Sequence, residues 1–171
     1  MPTTLILGGA RSGKTAYAQQ RAESIAAPMH RRLVMIATAQ AFDDEMTDRI
    51  ARHQADRDER WNTVEAPVDL VGAIEALVAE DVAVVDCLTL WVSNLMASES
   101  DIEAAFDALT EAVIACPADL LLVSNEVGWG IVPDNALARA FRDHAGRLHQ
   151  RLAKVAEETV LVVAGLPLRL N

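Results

Sequence analysis

The sequence predicts an α/β fold, a mostly parallel β-sheet flanked by helices. Three observations lead there. Short apolar runs recur at Thr4–Gly8, Leu33–Ala37, Val82–Leu88, Leu120–Ser124 and Thr159–Ala164, each rich in Val, Leu or Ile and without clear period-two alternation. Strands covered on both faces of a parallel sheet read this way. Segments with helical periodicity lie between them, and strand–helix alternation builds such sheets through right-handed crossovers. The chain has 171 residues, 51% of them hydrophobic, enough for one domain over 1–171 with a sizeable core.

In chain order, the first run leaves through Gly8-Gly9-Ala10-Arg11-Ser12-Gly13 and enters a helix over 14–26 on Lys14-Thr15. Gly8, Gly13, Lys14 and Thr15 stand at the spacing of a phosphate-binding P-loop. The glycines let backbone N–H groups converge on phosphate oxygens, and the helix N-terminus adds its positive dipole end. Lys14 would reach the β- and γ-phosphates of a nucleoside triphosphate, and the Thr15 hydroxyl would coordinate Mg²⁺. A glycine-rich turn with a chance lysine is the bland alternative.

The second run precedes a highly charged helical pattern over 43–60, DDEMTDRIARHQADRDER. On a helix, Arg49, His53, Arg57 and Arg60 share one face. Such a face suits an anion, and cation repulsion would favour the neutral, nucleophilic form of His53. A solvated face, with its arginines paired to Asp48, Asp56 and Asp58, is the competing reading. Asp43, Asp44 and Glu45 fit the dipole at the start of this helix.

Segment 67–79 reads as a helix with Pro67 near its N-terminus. The third apolar run carries Asp86, where a P-loop protein keeps the acidic group that holds its metal. A carboxylate there is costly to bury unpaired, so it faces metal, water or a donor; capping the next turn is the alternative. Segment 101–115 opens on Asp101. NEVGWGIVP follows the fourth run, so Asn125, Glu126, Gly128, Trp129 and Gly130 fall at a strand C-terminus, where open α/β sheets bind ligands. A tight turn with Trp129 packed on the domain or on a subunit neighbour fits equally well. In the last helix Asp134 is the expected N-cap. Leu137, Phe141, Ala145, Leu148, Leu152 and Val155 form its apolar face, opposite Arg139, Arg142, Arg147, Arg151 and Lys154.

With 15 Lys+Arg against 25 Asp+Glu the net charge is −10, which argues against non-specific binding to nucleic acid or anionic membrane. No apolar segment reaches the ~18 residues of a membrane span, and no secretory signal opens the chain. Cys87 and Cys116 form no CxxC pair, so a reduced, cytoplasmic protein is expected. Cys87 is expected to pack as a small hydrophobe. His30, His144 and His149 are expected on solvent-facing helix or loop positions rather than on a metal.

GGARSGKT, IATA, DDEMxxRIxxHxxxRxxxWxTxExP, VVDCLTLWVSNL, NEVGWGIVP and ARAFRDHAGRLHQRLA occur in this order over nearly the whole chain. The ordered set closely resembles the bifunctional adenosylcobinamide kinase/adenosylcobinamide-phosphate guanylyltransferase family of cobalamin biosynthesis. The resemblance implies a RecA-like P-loop fold and a homo-oligomer, a trimer in the characterised form. It implies phosphorylation of adenosylcobinamide with ATP or GTP, then transfer of GMP from GTP, with His53 as the guanylylated residue. It also implies nucleotide contacts at Gly8, Gly9, Ala10, Arg11, Ser12, Gly13, Lys14 and Thr15, and at Thr38, Ala39 and Gln40. Gln54, Ala55, Asp56 and Arg57 match the segment after the active histidine, and Glu65 and Asp86 match two acidic GTP-site positions. The NEVGWG loop is the candidate for corrinoid contact. One departure is His149, where some members carry asparagine. No general base for the substrate hydroxyl stands out. A different small-molecule kinase lacking the covalent histidine, and a slowly hydrolysing nucleotide switch, are the other functions considered.

Overall fold

The computed structural model describes residues 2–40 and 59–171. Its strands are β1 (Thr3–Gly8), β2 (Arg32–Ala37), β3 (Trp61–Glu65), β4 (Asp81–Asp86), β5 (Asp119–Asn125), β6 (Glu158–Val163) and β7 (Leu166–Arg169). They form one sheet in the order β3-β2-β4-β5-β1-β6-β7. The first six run parallel and β7 returns antiparallel along β6. The helices are α1 (Lys14–Ala26), α2 (Leu70–Glu75), α3 (Leu88–Ala97), α4 (Ile102–Ala115) and α5 (Ala136–Val155).

β1, β4 and β5 are buried at almost every position, which is why their sequences are unbroken apolar runs. Alternate side chains feed two cores, one on each face. On one face Ala18, Ala22 and Ala26 of α1 meet Ile6, Met35, Val84, Leu121 and Val160. Short side chains at every fourth residue let α1 lie close to the sheet. On the other face Leu5, Val34, Val85, Leu120 and Leu122 meet Leu70, Ile74, Trp91, Phe106, Leu109, Leu148 and Leu152 from the remaining helices. Trp91 and Phe106 are fully buried with ring centroids 6.1 Å apart. Truncating one such ring to alanine costs about 3–5 kcal/mol.

Several local expectations are corrected. The run Val82–Leu88 is not all strand: β4 ends at Asp86 and Leu88 opens α3. Segment 67–79 is helical only over α2, because Asp69 accepts a hydrogen bond from Gly72 N and sets the N-cap. Pro67 and Val68 stay outside it, their carbonyls taken by Asn94 Nδ2 and Trp91 Nε1 of α3. At α5 the N-cap is Asn135, whose side chain accepts from Ala138 N at 2.8 Å, not Asp134. Leu137 lies off the buried stripe, at 71% exposure. Asp101 does cap α4, accepting from Ala104 N. Of the helix expected over 43–60, residues 43–58 lie outside the described residues, and Glu59 and Arg60 form a turn into β3.

Candidate active site

Strand register brings the chemistry to one rim. Glu65 of β3 stands opposite Ala37 of β2, and Ala37 opposite Asp86 of β4. Asn125 of β5 stands opposite Gly8 of β1, and Gly8 opposite Val162 of β6. All of these are C-terminal strand ends, the edge at which open parallel sheets hold ligands.

The phosphate loop is built into that rim by close packing. A Cβ on Gly8 would come 2.7 Å from Val162 O, so only glycine fits there. Gly13 has φ +93, a left-handed conformation that favours glycine. It precedes α1, whose N-terminus has no side-chain cap and no acidic residue in its first turn. α2, α4 and α5 are capped instead by Asp69, Asp101 and Asn135. α3 also lacks a side-chain cap, but at α1 the positive end lies at the glycine loop, where an external anion would meet it. Lys14 is buried to 8% exposure and its Nζ donates to Gly9 O at 3.1 Å, folding the ammonium over the loop. Ser12 N donates to Gly9 O, while Ser12 Oγ is buried without a hydrogen-bond partner. A phosphate oxygen would satisfy that hydroxyl.

A hairpin turn braces the loop from outside. Ala164 and Gly165 both have positive φ, as a two-residue turn between β6 and β7 requires. Gly165 N donates to Ser12 O at 2.8 Å. Its Cα would lie 3.1 Å from a Cβ placed on Gly13.

Asp86 ends β4 half-buried. The neighbouring Cys87 thiol is pushed up by burial and then by the Asp86 carboxylate, while the Lys14 ammonium pulls it back. Burial is the largest of these effects, and Cys87 stays a thiol. Asn125 Nδ2 donates to Thr89 Oγ1, tying the end of β5 to α3. Thr38 is fully buried, and its hydroxyl donates to Cys87 O and accepts from Cys87 N. Thr38 thereby latches the ends of β2 and β4 together, with half-buried Ala39 and Gln40 following. Glu65 is exposed at the end of β3.

The half-buried Thr15 hydroxyl and Asp86 carboxylate are the oxygen donors a hard cation requires. Among the described residues no group of three or more His, Cys, Asp or Glu could cage a metal alone. That suits Mg²⁺, which takes one or two carboxylates and completes its shell with phosphate and water. His53, Gln54, Ala55, Asp56 and Arg57 lie outside the described residues, as do Asp43, Asp44, Glu45 and Arg49. Arg60 pairs with Glu23 at 3.3 Å.

His149 corrects the expectation of a solvent-facing histidine. It is buried on α5, and its Nε2 lies 2.7 Å from the fully buried Ser124 Oγ. Nδ1 lies 3.9 Å from Glu126 Oε2. Desolvation holds the imidazole below its ordinary pKa, with Glu126 opposing. The signal was present: His149 adjoins Leu148 and sits four residues past Ala145, on the buried stripe. The hollow of about 310 Å³ between α2 and α4, bordered by Cys116 and Pro117, opens at the opposite end of β5 and is separate from this rim.

A family model described as cobinamide kinase / cobinamide phosphate guanyltransferase matches residues 4–170. The bifunctional adenosylcobalamin biosynthesis protein CobP of Pseudomonas aeruginosa is 43% identical over 170 residues, covering 98% of this chain and 96% of that protein. CobU of Salmonella typhimurium, bearing the same description, is 42% identical over 183 residues, covering 98% of each. CobU of Escherichia coli is 40% identical over 183 residues with the same coverage. Among solved structures, a KaiC-like protein of Pyrococcus horikoshii aligns with a TM-score of 0.50 at 15% identity, over 94% of this chain and 70% of that one. That likeness supports the RecA-like P-loop architecture and nothing finer. With the sequence match running nearly end to end, the chain belongs to the cobinamide kinase / cobinamide phosphate guanyltransferase family.

Proposed function

We propose that this chain phosphorylates adenosylcobinamide with ATP or GTP, then transfers GMP from GTP to the product, giving adenosylcobinamide-GDP for the nucleotide loop of cobalamin. The observation that carries the proposal is the match of residues 4–170 to a family named for both activities. The phosphate loop and its uncapped helix supply chemistry common to both reactions.

In the kinase step Lys14 and the N–H groups at the start of α1 hold the triphosphate and take up charge on the transferring phosphoryl group. In the second step neutral His53 attacks the α-phosphorus of GTP and pyrophosphate leaves, forming a P–N bond to GMP. A phosphate oxygen of adenosylcobinamide phosphate then attacks that phosphorus and releases the imidazole. Splitting one displacement into two predicts an isolable guanylylated protein. Thr15 and Asp86 would hold Mg²⁺, which when bound neutralises triphosphate charge. Ala39, Gln40, Gln54, Ala55, Asp56, Arg57 and Glu65 complete the proposed nucleotide site. A single catalytic domain, a trimer and a cytoplasmic location belong to the same reading. No described helix is long and apolar enough to cross a membrane.

The test is incubation with Mg²⁺ and GTP radiolabelled on the α-phosphate, followed by denaturing electrophoresis. Wild type retains acid-labile, alkali-stable label, as a phosphoramidate does. His53→Asn loses the label and guanylyl transfer while keeping kinase activity. Label at wild-type level on His53→Asn would move the role to another residue.

A further inference from the structure

The kinase step needs a group to take the proton from the substrate hydroxyl, and we propose that Glu126 is that group. The proposal rests on the kinase reading above. The placement comes first. Glu126 follows the last residue of β5, and its N–H donates to Gly8 O at 2.9 Å, so it is hydrogen-bonded to the first residue of the phosphate loop. With strands roughly 4.8 Å apart, Glu126 leaves the rim one strand from β1 in the sheet order. Asp86 leaves it two strands away, about 10 Å, and Glu65 four strands away, about 19 Å. Asp86 is already assigned to the cation, which leaves Glu126 as the nearest to the loop of these three described carboxylates.

The side chain is held in place. Oε1 accepts from Gly128 N at 2.9 Å, and Oε2 lies 3.9 Å from His149 Nδ1. His149 is in turn fixed by Ser124. The Glu126 side chain keeps 20% exposure, so it is not sealed in the core. A carboxylate beside a triphosphate site repels the nucleotide, and a turn cap alone has no need of that charge. A proton acceptor does.

In the step, the substrate O–H proton passes to a Glu126 carboxylate oxygen. The alcohol oxygen forms a bond to the γ-phosphorus, and the bond from that phosphorus to the β–γ bridging oxygen breaks. The nucleoside diphosphate leaves with that electron pair, and Glu126 is left neutral until it returns the proton to solvent. His149 acts only through Glu126 and is a positioning residue.

Glu126→Gln separates the roles, because an amide oxygen still accepts from Gly128 N but cannot take a proton. The experiment compares wild type, Glu126→Gln and Glu126→Asp in two assays with Mg²⁺. One is phosphorylation of adenosylcobinamide, and the other is retention of label from α-labelled GTP. The expected result is a loss of roughly 10²-fold or more in kinase kcat for Glu126→Gln, in the range removal of a general base gives. KM for the nucleotide does not rise, Glu126→Asp recovers part of the rate, and all three proteins take up label. Kinase activity of Glu126→Gln within threefold of wild type would overturn the proposal. So would a parallel loss of both activities, which would make Glu126 a brace for the loop. A wild type that never phosphorylates adenosylcobinamide is a separate outcome, and it overturns the kinase reading itself.

Discussion

Lys14 shows what a single residue carries at this rim. Its Nζ already donates to Gly9 O, and the chain around it is fixed by glycines, so its charge matters more than its packing. Lys14→Ala is expected to cut kinase turnover by roughly a hundredfold or more. Its far-ultraviolet circular dichroism should match wild type, and the two measurements together separate charge from fold. His149 makes a different prediction. Its folded pKa is lowered from 6.5 by desolvation. As pH falls, the unfolded chain therefore takes up the proton first. The stability this neutral imidazole contributes is complete above about pH 6.5 and is lost as pH drops below that value. Urea titrations at a series of pH values should show that slope in wild type and a flatter one in His149→Asn. Much of the candidate site was legible at this scale, since Gly8, Gly13, Lys14 and Thr15 occur as a motif with a stated phosphate chemistry and Asp86 ends an apolar run. The Ser124–His149–Glu126 cluster was not, because its members come from two elements that only the fold brings together.

Among the elements, the strands whose two faces are covered announced themselves, and the others did not. β3 has the sequence WNTVE and lies at the sheet edge, half-exposed, with no apolar run to mark it. β7, with the sequence LPLR, is exposed throughout and exists because the Ala164-Gly165 turn folds it back on β6. α3 was hidden for the opposite reason: LTLW continues the apolar run of β4 and is buried on most sides, which erases the helical period. Caps were misjudged by a single residue at α5, where Asp134 and Asn135 are both plausible caps by type. The structure makes the difference measurable. Asn135→Ala should cost about 1 kcal/mol through loss of the bond to Ala138 N. Asp134→Ala should stay within about 0.5 kcal/mol, because only its backbone carbonyl is engaged, by Arg139. A larger shift in the urea midpoint for Asp134→Ala than for Asn135→Ala would return the cap to Asp134.

Across the whole molecule the sheet is pinned at the edge opposite the site. Arg31 lies just before β2, with its side chain at 6% exposure. It forms an ion pair with the equally buried Asp119 at the start of β5 and donates to the carbonyls of Ala79, before β4, and Asp81, its first residue. Asp119→Ala would leave that guanidinium buried without its counter-charge, at an expected cost of about 3–5 kcal/mol, read as a lower urea midpoint. GMP attachment by the folded fraction should be unaffected, since the rim lies at the other ends of the same strands. The strand order also bears on how a ribosome delivers this chain. β1 is made first, yet its neighbours are β5 and β6, in register from Leu120 and Glu158 onward. The phosphate loop leans on Gly165, which comes later still. Long-range pairings of this kind form slowly and leave apolar strands exposed meanwhile. During vectorial synthesis β1 therefore waits without a partner strand until β5 has been made. The loop at its end acquires a nucleotide-ready shape only when the β6–β7 turn has emerged, so a truncated nascent chain exposes a sticky first strand without gaining the grip on GTP that would steady it.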